Sequence, residues 1–217
     1  MLLKFVMAVS GAAMLLYLVL HMIGNLKIFL GGHALDHYAA WLRTILEPAL
    51  PYGGVLWIVR VGLVAAILAH IWSATVLTVR AKRARPVRYA VRNKLPGSYA
   101  ARTMRWGGVI ILLFVVYHLL DLTTGTLNPR GEHLRVYGNV TADFTPDRWY
   151  VTLFYALAVI AMGFHVRHGM WSALQTLGWS NGFREKALKT TSTLVAVLLT
   201  VGFLAVPLAV TFGLVHP

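Results

Sequence analysis

Four histidines, His21, His70, His118 and His165, stand one apiece in four separate apolar segments. An ionisable side chain is expensive where water is excluded, so each is a candidate functional residue. Neutral imidazole ligates metal through one ring nitrogen while the other nitrogen holds a hydrogen bond. Two imidazoles on opposite faces of one haem iron leave no position for oxygen, and such a centre is suited to one-electron transfer. Four histidines make two such pairs. For any one of them the competing reading is a hydrogen bond to a neighbouring helix, or a place in a proton path.

The elements that must carry these residues are long. Of 217 residues, 58% are hydrophobic and only 12% charged, about half the charged share of a soluble domain. Crossing a bilayer takes ~20 apolar residues per helix. Five stretches reach that length, approximately 5–30, 54–79, 106–124, 149–174 and 190–214. None shows the period-two alternation of a strand. The fold class expected is an all-α integral membrane protein, one domain over 1–217, with five transmembrane helices, four of them bundled around two stacked b haems. Pro207 lies inside the fifth stretch and is expected to kink it. The segment His37 to Leu42 reads as a short amphipathic piece at the interface. Trp41, Trp57, Trp106, Trp149, Trp171 and Trp179 fall near segment ends, where interfacial anchors sit.

The net charge of +13 does not point to nucleic acid, because it is concentrated. Arg80, Lys82, Arg83, Arg85, Arg88, Arg92, Lys94, Arg102 and Arg105 crowd one connection without an acid among them. Arg184, Lys186 and Lys189 follow in the connection before the fifth helix. The other two connections mix signs. Positive loops stay in the cytoplasm, so the N-terminus, with Lys4, is expected in the cytoplasm and the C-terminus outside. Such a basic rim also suits an acidic partner or anionic lipid. No cysteine is present, so the chain cannot ligate an iron–sulfur cluster by thiolate or attach haem covalently.

Direction turns position into depth at ~1.5 Å per residue. His21 then lies ~25 Å above the cytoplasmic boundary and His118 ~20 Å, while His70 lies ~15 Å above it and His165 ~24 Å below the outer boundary. His21 and His118 form an outer pair; His70 and His165 form an inner pair. Small residues that would allow close approach of a macrocycle are Gly11, Gly24, Ser73, Gly163, Gly169 and Ser172. His168, one turn beyond His165, competes with it as the inner ligand. His33, His37, His133 and His216 lie in connections or at the terminus and read as solvated.

The chain resembles the membrane-anchor cytochrome b subunit of type-B succinate:quinone oxidoreductases, the five-helix dihaem family of succinate dehydrogenase and fumarate reductase. The resemblance covers essentially the whole chain. Its motifs are His21-Met22-Ile23-Gly24-Asn25-Leu26, Tyr117-His118-Leu119-Leu120-Asp121-Leu122-Thr123, and the run His165-Val166-Arg167-His168-Gly169-Met170-Trp171-Ser172-Ala173-Leu174-Gln175-Thr176-Leu177-Gly178-Trp179. It implies two haem b groups, His70 and His165 on the inner and His21 and His118 on the outer. It implies two partners, a flavoprotein with covalent FAD and an iron–sulfur subunit with three clusters. Electrons from succinate would pass the inner and then the outer haem to a quinone, usually menaquinone. It places the chain in a bacterial cytoplasmic membrane, and the family admits trimers of the whole complex. The chain itself offers no dicarboxylate site.

Further candidates follow from that resemblance. Asn25 and Asp121 would bond quinone oxygens or propionates, Asp121 being alternatively a polar residue at the helix end. Arg167 would neutralise a propionate of the inner haem, and Arg60 would do so for the outer haem or else snorkel. His168 would meet a propionate, quinone or partner; Ser10, Arg102, Arg105 and Gln175 would lie near the inner haem. Some relatives carry a proton-transferring glutamate two positions before the fourth-helix ligand; here that position is Gly163. Two other readings stand beside this one: the dihaem b subunit of another respiratory complex, of the nitrate reductase or b561 kind, and a histidine-containing proton channel or transporter.

Overall fold

The computed structural model describes residues 1–84 and 99–216, with backbone alone for 99–103. Arg85, Arg88, Arg92 and Lys94 therefore lie outside the described residues, as does the side chain of Arg102. The described chain is helical and contains no strand. Its helices are α1 (Leu2–Leu26), α2 (Gly32–Thr44), α3 (Gly54–Arg83), α4 (Tyr99–His118), α5 (Val136–Asp143), α6 (Trp149–Thr176) and α7 (Glu185–Thr211). Five segments are long and apolar enough to cross a membrane: Leu2–Leu30, Gly54–Arg83, Met104–Thr123, Pro146–Thr176 and Glu185–Thr211. These are the five expected stretches, and they make this a multi-pass membrane protein.

The ends of the spans follow local chemistry. After α1 a tight turn over Lys27–Leu30 stops at Gly31, whose φ of +94° is a backbone state that side-chain-bearing residues avoid. Helix α7 begins earlier than expected, at Glu185, because that acid sits in the first turn and pairs with Lys189 at 2.5 Å. An acid at a helix N-terminus and an (i, i+4) ion pair both favour starting there. Pro207 lies within α7, and the helix runs on past it to Thr211. Two short helices were not read as such in the sequence. Helix α2 extends the expected interfacial piece, and α5 folds out of the long polar connection before α6.

Helix α1 packs against α3, α6 and α7; α4 packs on α6, and α6 on α7. In lipid, apolar surface gains little by leaving the solvent, so close approach and interhelical hydrogen bonds carry such contacts. At Gly163 of α6 a Cβ would collide with Thr200 Oγ1 of α7, and at Gly202 of α7 with the Met22 side chain of α1. Thr152 and Thr211 join hydroxyls between α6 and α7 at 2.6 Å.

The buried core gathers at one end of the bundle, where α2 and α5 cap it. There Ile28, Leu35, Phe144, Val151, Tyr155, Val206 and Val210 form one cluster. The cap is tied down: Tyr137 N–H of α5 donates to Asp36 Oδ1 of α2 at 2.9 Å, and Tyr137 O–H donates to His216 O at 2.6 Å. By contrast, none of the most apolar stretch of α3 is buried, against 33% for α6 and α7. Trp41, Trp57 and Trp149 are exposed toward the capped end, and Trp106 and Trp179 toward the other.

Candidate functional site

The helices bring the four histidines into two pairs. At the capped end, His21 of α1 and His118 of α4 have ring centroids 5.9 Å apart, nearly perpendicular at 83°. Toward the basic end, His70 of α3 and His165 of α6 have centroids 6.3 Å apart, inclined at 58°. His168 is half-buried one turn further along α6. Two metal–imidazole bonds of ~2.0–2.1 Å, as for zinc, put the coordinating nitrogens ~4 Å apart, and the half-widths of the rings bring the centroids to roughly 6 Å. The centroid separation of both pairs is compatible with one shared metal atom, and it also lies within the roughly 4.5–7 Å range of ordinary ring contacts.

The nitrogens turned away from each partner explain which nitrogen is free. His70 Nδ1 lies 3.1 Å from Met7 O and 3.3 Å from Ser10 Oγ. Ser10 is buried, and its own hydroxyl donates to Val6 O at 2.7 Å. His70 Nδ1–H therefore donates to the Met7 carbonyl, leaving Nε2 as the lone-pair nitrogen. At the capped end, Tyr155 O–H donates to Asp121 Oδ2 at 2.7 Å, and His118 Nδ1 lies 3.4 Å from the same phenol oxygen. A phenol has one hydrogen, so His118 Nδ1–H donates to it, and Nε2 is again free. His165 Nδ1 is buried and faces the Met104 backbone too loosely to form a bond.

The surroundings of the pairs are unlike. His21 stacks on Tyr17 at 5.3 Å and meets Phe203 of α7 at 5.8 Å; Phe114 stacks on His118 at 5.7 Å. Beside the second pair stand glycines: a Cβ on Gly11 would lie 3.4 Å from His70 Cε1, and one on Gly108 would lie 3.6 Å from His165 Cε1. Of the other small residues singled out in the sequence, a Cβ on Gly24 would lie 3.1 Å from the Tyr38 ring, one on Gly163 would collide with Thr200, and one on Gly169 would lie 3.6 Å from Met104. Those three serve contacts between protein groups.

The remaining candidates are dispersed. Arg167 is exposed and its Nε donates to Thr193 Oγ1 of α7 at 3.0 Å, away from the His70 pair. Arg60 is exposed and stacks on the Trp57 ring at 5.0 Å. Arg105 and Gln175 are exposed, and the Asn25 side chain makes no hydrogen bond among the described residues. Asp121 is not a residue of the interface: it has no exposed surface. It is buried because the helix widens over Leu119–Thr123, with Thr124 N–H reaching back five residues to Leu119 O at 2.8 Å. Tyr155, Asp143, Arg148 and Phe203 join the capped-end site and were not found by sequence reasoning. A separate polar recess of about 860 Å³ opens at that end, lined by His33, Asp36, His37, Arg130, Glu132 and Tyr137 among others.

Among the described residues no three His, Cys, Asp or Glu side chains converge as a metal site made of protein alone. Each histidine pair therefore offers two ligands and no more. Set against protein-family models, curated proteins and solved structures, the chain matches none.

Proposed function

We propose that this chain is the dihaem cytochrome b membrane anchor of a succinate:menaquinone oxidoreductase. The observation that carries this reading is the pairing of four histidines, from four different spans, into two imidazole couples at different depths, with ring centroids 5.9 and 6.3 Å apart. Two ligands per couple suit a tetrapyrrole, which brings the other four donors itself. His21 with His118, and His70 with His165, would hold the two b haems, which supply one-electron transfer through the membrane when bound. At Gly11 and Gly108 the backbone comes close against the rings of the second couple.

The protein's own residues set what such centres can do. Met7 O and Tyr155 Oη fix the ring orientation and tautomer of His70 and His118, so that Nε2 of each is the ligand nitrogen. The basic end, with Arg80, Lys82, Arg83, Arg105, Arg184 and Lys186, faces the cytoplasm and receives the acidic surface of the iron–sulfur subunit, which itself carries the flavoprotein. A quinone takes the electrons at the capped end. The test is a pyridine haemochrome assay on the intact membrane complex, with the covalent flavin of the copurifying subunits assayed alongside. Two haems per chain and a covalent-FAD partner support the reading. No haem points to a proton channel or transporter instead, and haem with a different partner points to another respiratory complex.

A further inference from the structure

Two carboxyl groups are sealed into the capped end. Asp121 and Asp143 each have 0% exposure. Each has one oxygen with a donor: Asp121 Oδ2 accepts from Tyr155 O–H at 2.7 Å, and Asp143 Oδ1 accepts from Arg148 at 2.9 Å. Each also has one oxygen without a donor, Asp121 Oδ1 and Asp143 Oδ2. The two carboxyls lie near enough that Asp121 acts on the Asp143 carboxyl both by charge and as a hydrogen-bond neighbour. An ionised carboxylate is acceptor-only, so two of them cannot bond each other. Buried like charges at that range favour sharing one proton.

The groups facing the pair support this count. Arg148 is the sole cation bonded to it among the described residues, and its side chain is 26% exposed. Tyr117 comes from α4 and Tyr155 from α6. The hydroxyls of Thr152 and Thr211 bond each other, and Asp36 of α2 is engaged by the Tyr137 amide. With one proton on the pair, Arg148 and the two carboxyls sum to zero charge. With none, a net negative charge stays buried, which a low-dielectric site disfavours.

We propose that Asp121 and Asp143 form a one-proton carboxyl pair, a proton-holding site that exchanges with the aqueous phase past Arg148 and stands one tyrosine hydroxyl from His118. Loading adds one proton to the pair and no electron. Burial first, and then the hydrogen bond and charge of Asp121, raise the Asp143 carboxyl to about 7 against the opposing pull of Arg148. The site is thus poised to load and unload near neutral pH. It belongs to the chain itself and does not depend on the haem reading.

Infrared spectroscopy of the full chain in lipid tests it. The chain has only seven carboxylic side chains, and the other five are Asp36, Glu47, Glu132, Asp147 and Glu185, none of them buried, so the band is assignable. One protonated-carboxyl stretch per chain is expected at pH 5.5, fading as pH rises through about 7. Asp121→Asn and Asp143→Asn each supply an amide donor to the remaining carboxylate, and each should abolish the band. Absence of the band in the unaltered chain across this range overturns the proposal. So does its survival in either variant, which would mean one carboxyl protonated alone.

Discussion

Around His21 and His118 the protein is closed; around His70 and His165 it is open. The first couple sits under the α2–α5 cap, wedged among Tyr17, Phe114, Tyr155 and Phe203. Its outward nitrogen leads through a phenol to a buried carboxyl pair. The second couple lies between α6 and α3, whose most apolar stretch has no fully buried residue. Its outward contact is a backbone carbonyl, its flanks are glycines, and its charges are cationic and exposed. On the proposed reading, identical ligands in unlike surroundings would give the two centres different properties, since hydrogen bonds, burial and nearby charge tune them. A phenol and a buried carboxyl pair stand behind one couple, and a backbone carbonyl stands behind the other.

The largest effect expected to sharpen this contrast is at the second couple. His165→Ala should remove one haem-type absorbance component completely, while His168→Ala leaves both. Loss of the component in His168→Ala instead would assign the ligand one turn further along α6. Next is Tyr155→Phe, which strips Asp121 Oδ2 of its donor and His118 Nδ1 of its acceptor. Leaving a buried polar group unpaired costs about 1–3 kcal/mol. Thermal unfolding should show that loss, and the optical change should be confined to the capped-end component. Gly163→Ala forces a Cβ against Thr200 and should cost about 1–3 kcal/mol. It should lower the unfolding temperature with both optical components retained, because it separates α6 from α7 and leaves either couple's partner hydrogen bonds in place.

A pH effect follows at the capped end alone. The Asp143 carboxyl is raised from an ordinary 3.8 to about 7 by burial and by Asp121. A raised acid favours the fold while it is protonated. Its contribution is therefore full below about pH 4 and is lost as pH rises through about 7. Hydrogen exchange at the Thr141 to Phe144 amides, corrected for intrinsic rates, should be faster at pH 8 than at pH 5.5, and Asp143→Asn should flatten the difference. The smallest effect is that of Thr193→Val. It removes the Arg167 bond and should cost about 0.6 kcal/mol or less, the mean for polar contacts between membrane helices.

The contrast between the ends was only half legible in the sequence. The spans were readable because an apolar run of bilayer length has few alternatives, and charge placement gave each span a direction, hence the grouping of histidines by depth. The cap was not readable. Helix α5 is eight residues long and weakly patterned, and it holds its place through Asp36, Asn128 and Asn139, whose partners are distant or local backbone groups. Asp121 read equally as an interfacial residue, since nothing local announces the widened turn that buries it. Tyr155 looked like any aromatic of a span. Arg167 read as a charge seeking a propionate and Arg60 as that or a snorkelling side chain; at exposed helix faces Arg60 stacks on a tryptophan ring and Arg167 bonds a threonine hydroxyl.

The central claim is that two histidine couples hold two separate redox centres, and a redox-titrated optical spectrum of the membrane complex tests it most directly. Two b-type components at different potentials are expected in the unaltered protein, with His118→Ala losing one and His70→Ala the other. A spectrum with no Soret band, or a single component abolished by either substitution, would contradict it.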